Sequence, residues 1–107
     1  MTKILLLMLV FIPLFSPAEE FDPFAEQSRL EALSKEQMNK GLYDQAIETL
    51  SELDGMFPYE TDVLLQLVTA YVKAGKQVPD WVMETPWPTA TDDDLLNREK
   101  AEKLLGQ

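Results

Sequence analysis

The sequence predicts an all-α domain built from stacked antiparallel helices. Leu30, Leu33 and Gly41 recur as Leu64, Leu67 and Gly75, an offset of 34 residues. Self-similarity at a period of this length marks helical hairpins that bury their apolar faces only by stacking. Between these points apolar residues return at three- and four-residue steps until glycine or proline cuts them off, the pattern of amphipathic helices. The third observation is a lack. With no cysteine among 107 residues, no disulfide can staple the chain, and helix packing has to hold it together.

Each element has its own signals. Asp22 before Pro23 predicts a helix start, because the carboxylate can accept from free backbone amides and proline fits a first turn that needs no donor. That helix runs to about residue 40 through Leu30, Leu33, Gln37 and Met38, and Gly41 ends it in the left-handed conformation. Tyr43, Ala46, Ile47, Leu50 and Leu53 trace the apolar stripe of a second helix, stopped by Gly55 and Pro58. A link this short forces an antiparallel hairpin. The third helix, about residues 61–74, is apolar almost all round, from Val63 to Val72, and must be covered on more than one side. Pro79, Pro86 and Pro88 then permit only an irregular or briefly helical segment, whose Trp81 and Trp87 can supply cover. A last helix starts near Thr91, where Asp92, Asp93 and Asp94 complement the positive helix end. It continues through Leu95, Leu96, Ala101, Leu104 and Leu105 to Gly106.

The first residues read as an export signal. Lys3 is followed by an unbroken apolar run from Ile4 to Ile12, Pro13 interrupts it, and Ser16, Pro17 and Ala18 form a small-residue cleavage site. A membrane-spanning helix needs about 20 apolar residues, and Ile4 to Phe15 supplies twelve including the proline. Cleavage after Ala18 is therefore expected. No cysteine at the cut invites a lipid, and the mature domain, residues 19–107, would lie in the periplasm or otherwise outside the cytoplasm without membrane insertion. All 19 acidic residues follow Ala18, whereas Lys3, one of nine basic residues, precedes it. A surface so acidic repels phosphate backbones, so nucleic acid is excluded as a partner.

Taken together, Leu30, Leu33, Ser34, Gln37, Ala46, Leu50 and Pro58 resemble the tetratricopeptide repeat pattern, with Gly41-Leu42-Tyr43 similar to its turn. The resemblance covers about one and a half repeats. Residues 27–60 make a full repeat, 61–77 a half repeat, 78–91 the proline- and tryptophan-rich segment and 92–106 a capping helix. Both aromatic positions of the first helix are lost, and no alanine follows Gly75 where a fourth repeat-type helix would begin. Ser34 is expected to receive Ala46 across the hairpin seam, since helices approach closely only where side chains are short.

Function is expected to be binding. Without histidine or cysteine the chain lacks the commonest general base, the thiolate nucleophile and the usual zinc ligands, so no catalytic residue, metal site or cofactor is assigned. In the family that the chain resembles, the first helix of each repeat lines a groove. That resemblance implies Ser28, Glu31, Lys35, Met38, Asn39, Asp62, Leu65, Thr69, Val72 and Lys73 as groove residues for a protein or peptide. Met38, Leu65 and Val72 are either a docking patch or core covered by the C-terminal tail. Trp81 and Trp87 are either core plugs or anchors for a partner. Two expectations follow: an exported interaction module acting as adaptor, assembly factor or accessory subunit, or a small structural subunit buried in an oligomer.

Overall fold

The computed structural model describes residues 21–106, so the expected signal segment, residues 1–18, lies outside the described residues. Five helices and no strand occur among the described residues: α1 (Pro23–Asn39), α2 (Tyr43–Met56), α3 (Thr61–Lys73), α4 (Asp80–Glu84) and α5 (Asp92–Leu104). α1 packs on α2, α2 on α3, and α3 on α5, with α4 resting lightly on α3.

Local chemistry explains most of the boundaries. The Asp22 carboxylate accepts from the Phe24 and Ala25 amides at 3.0 and 3.3 Å, and Pro23 takes the first helical position. At the other end of α1, Gly41 has φ of 74°. The Leu42 amide donates to the Gln37 carbonyl at 2.8 Å and the Gly41 amide to that of Met38 at 3.1 Å. This paired closure satisfies carbonyls that the helix end would otherwise orphan. It recurs after α3, where Gly75 has φ of 72°, Lys76 donates to Tyr71 at 3.0 Å and Gly75 to Val72 at 3.0 Å. The 34-residue offset seen in the sequence is thus a recurrence of the same helix ending.

One stop differs from expectation. Gly55 lies inside α2, which runs to Met56. The break comes from Pro58, which drives the preceding Phe57 out of the helical region, to φ −132° and ψ 76°. The left-handed residue of this turn is Tyr59, at φ 68°. Phe57 meets Phe24 with ring centroids 6.3 Å apart, tying the end of α2 to the start of α1.

Two cores share α3. The first joins Leu30 of α1 and Ala46, Leu50 and Leu53 of α2 to Val63, Leu67 and Ala70 of α3. The second joins Leu64 and Val68, on another face of α3, to Val82, Trp87 and Ala101. This is the two-sided cover that an all-round apolar helix requires. Trp87 and Leu105 make the fold-back from the tail, whereas Trp81 and Leu104 remain 44% and 40% exposed.

The seam of the first hairpin is tight. Ala46 is fully buried and Ser34 nearly so, and the Ser34 hydroxyl is turned back onto the Glu31 carbonyl at 2.9 Å. Ala46→Leu should therefore cost about 1–3 kcal/mol by overpacking, read from the urea midpoint. A change within roughly 0.5 kcal/mol, the range of ordinary surface substitutions, would put residue 46 on an open face and break the repeat register.

α5 turns two of its leucines outward. Leu95 and Leu96 are 51% and 46% exposed, while Asn97 and Ala101 are buried. The reason is polar. The Asn97 amide donates to the Thr61 hydroxyl at 3.0 Å and to the Asp62 carboxylate at 2.8 Å, and Thr61 donates to Asp94 at 2.7 Å. These bonds join the first turns of α3 and α5, and the small Ala101 one turn on lets the helices close. A reciprocal cap between Thr91 and Asp94 starts α5 and holds Asp94 in place.

Candidate functional site

α1, α2 and α3 leave a groove of about 580 Å³ between them. One wall is a single face of α1, carrying Gln27, Glu31, Lys35, Met38 and Asn39 at three- to four-residue steps. The opposite wall is the start of α3, with Glu60, Asp62, Val63, Leu65 and Gln66, and Leu50 and Leu53 of α2 form the floor. Helix geometry sets this division, because the residues that α1 and α2 bury against each other lie on one side of the hairpin and leave the neighbouring face open.

The groove gathers some of the residues assigned from the repeat pattern and omits others. Met38, Asn39 and Leu65 line it, together with Glu31, Lys35 and Asp62. Leu65 also packs on the second core, and Met38 on the first. Thr69, Val72 and Lys73 fall outside the lining. The Thr69 hydroxyl is spent on the Leu65 carbonyl at 2.8 Å, Val72 is 36% exposed, and the Lys73 ammonium stands 5.9 Å from the centre of the Tyr43 ring. Ser28, expected in the groove, is exposed and outside the lining, and the neighbouring Gln27 stands in the wall instead.

The tryptophans divide. Trp81 is exposed on α4, while Trp87 is 8% exposed, donates its indole N–H to the Val82 carbonyl at 2.9 Å and lies 5.2 Å from the Arg98 guanidinium. Trp87, Arg98 and Leu95 border a second, more open cleft of about 470 Å³ between the proline-rich segment and α5. Gln27, Glu60 and Gln66 are among the groove residues that the repeat pattern did not single out. A signal for Gln66 was present in its position four residues after Asp62, on the same helical face.

The α3 wall of the groove is tied to α5. Asp62 is fixed by Asn97, whose other amide hydrogen binds Thr61, so α5 braces a groove wall from behind. The Thr61 hydroxyl is the main cause of a low Asp94 pKa. It and then Thr91 hold that carboxyl below the usual aspartate value. On α2 the opposite holds for Asp54, whose partial burial pushes its carboxyl up.

Among the described residues, no group of three acidic side chains is arranged to hold a metal ion, and no helix is long and apolar enough to cross a membrane. Comparison of the chain with protein families, with curated proteins and with solved structures finds no match.

Proposed function

We propose that the protein is an exported helical-repeat module that docks a segment of another protein in the groove between α1 and α3. It would serve as an adaptor, assembly factor or accessory subunit of a periplasmic complex. The observation that carries this reading is the coincidence of a preformed groove with the face that the tetratricopeptide resemblance assigns to binding: Glu31, Lys35, Met38, Asn39, Asp62 and Leu65 all line it. The recurrence of the helix ending at Gly41 and Gly75 supports the same repeat frame. A groove built between packed helices, with Met38 and Leu65 set among polar residues, suits recognition of a peptide segment, since little ordering of the protein is needed on binding.

A second reading rests on Leu95, Leu96 and Leu104, all exposed on α5. Exposed leucines on a helix are what a permanent neighbour would cover in an oligomer, making the protein a small structural subunit.

Photocrosslinking separates the two. A photoreactive residue placed at Asn39 or Gln66 in the exported protein, which should begin at Glu19, is expected to form a discrete adduct with another protein, and one at Lys100 should not. Adducts only from Lys100, or adducts of the chain with itself, would favour the subunit reading. A mature protein still carrying residues 1–15 and partitioning with membranes would remove the export assignment.

A further inference from the structure

Resting on the groove as the docking site, the charges around it specify what docks there. We infer that the occupant is a peptide segment in which a lysine or arginine accompanies one or more apolar side chains, contributed by another protein.

The acids of α1 differ in their pairing. Glu26 is paired with Arg29, and Glu36 with Lys40 at 2.8 Å. Glu31, midway between them and in the groove wall, makes no ion pair among the described residues. Lys35 is one helical turn away, at a spacing that favours pairing, yet it too makes none. Asp44, at the start of α2 and outside the groove, is again neutralised, by Lys76 at 2.8 Å. Unpaired acids also stand on other faces, Glu48 and Glu84 among them, and what sets Glu31 apart is that it faces two further carboxylates across a groove.

Across the groove Glu60 and Asp62 stand at the start of α3. Glu60 is the residue before the helix, but its side chain makes no capping hydrogen bond, so its carboxylate is not consumed by the backbone. Asp62 receives one hydrogen bond, from Asn97 at 2.8 Å, which aims the group and leaves its charge. The positive end of the α3 dipole, worth about half an elementary charge, offsets only part of this. Three carboxylates and one ammonium line the groove, with the half-buried Met38 and Leu65 as its accessible apolar side chains, since Leu50 and Leu53 beneath them are buried in the first core. An acidic or phosphorylated segment would meet repulsion at the α3 wall, where Glu60 and Asp62 stand without a cation, while Lys35 offsets Glu31 on the α1 wall. A basic residue would reach Glu60 and Asp62 from the groove and span toward Glu31, with its apolar neighbour against Met38 and Leu65, and the long aliphatic stem of lysine or arginine suits that path.

The test selects a phage-displayed random dodecapeptide library on the full mature protein at 150 mM NaCl, where the screening length is about 8 Å. Parallel selection uses a variant with the groove filled, Asn39→Tyr with Gln66→Tyr. Peptides that need the open groove are expected to be enriched in lysine or arginine next to leucine, isoleucine or phenylalanine. For a synthetic copy of the leading peptide, Glu31→Lys with Glu60→Lys should weaken binding by about 10-fold or more. Glu48→Lys with Glu84→Lys, the same change in net charge on other faces, should stay within about 2-fold. Groove-dependent peptides that are acidic or uncharged would overturn the inference and leave the groove reading standing, as would equal losses from the two charge pairs. Enrichment that is the same on the open and filled proteins would overturn both.

Discussion

Trp87→Ala is expected to destabilise the domain by about 3–5 kcal/mol, the range for removing a large buried aromatic. That is a large share of the roughly 5–15 kcal/mol that holds a small domain folded. The indole fills the space between Leu64 and Val68 of α3 and Ala101 of α5, and its N–H is the hydrogen-bond partner of the Val82 carbonyl. Truncation opens a cavity, strips that carbonyl of its donor and uncovers one of the two buried faces of α3. Urea denaturation followed by circular dichroism reads the loss. Trp81→Ala serves as the internal comparison, because Trp81 is 44% exposed, and it should cost less than about 1 kcal/mol. Equal losses from the two would mean that the tail does not cover α3 as described.

Thr61→Val should cost about 1–3 kcal/mol near neutral pH, because it keeps the shape of a buried side chain while removing the hydroxyl that links α3 to α5. Asn97 loses an acceptor and Asp94 a donor in one change. The pH dependence carries a sign. The Asp94 carboxyl is held below the ordinary aspartate value, first by Thr61, so its ionised form stabilises the fold above that value. This contribution disappears as pH falls through the lower, folded value. The gap between wild type and Thr61→Val should therefore narrow on acidification. Asp54, raised by burial, favours the fold in acid instead, but it is common to both proteins and cancels in the difference. A gap that is constant or widens toward low pH would contradict the Thr61–Asp94 linkage.

Features set by neighbours in sequence were legible before the fold was known. Asp22 and Pro23 start α1, and Gly41 and Gly75 close their helices, because capping depends on a few adjacent residues. The demand that α3 be covered twice was readable from its all-round apolar surface. What was not readable depended on distant partners. Nothing near Leu95 and Leu96 in the sequence shows that they face outward, because the orientation of α5 is decided by Asn97 reaching Thr61 and Asp62, across 36 and 35 positions in the chain. Gly55 resembles a terminator but sits within α2, since the proline three residues later sets the break. Within the groove, the face of α1 followed from helical periodicity. The unpaired state of Glu31 did not, because Lys35 stands at a pairing distance in sequence and only the geometry shows that the two do not meet.

The most direct measurement of the central claim is capture of the crosslinked partner by a protein whose groove is filled without a change of charge. Asn39 and Gln66 are both exposed on its walls, so Asn39→Tyr with Gln66→Tyr should preserve helicity and the melting transition. The filled protein is predicted to lose capture by about 10-fold or more, while Lys100→Tyr on the outer side of α5 retains it. Capture by the filled protein at wild-type strength would contradict docking in the groove.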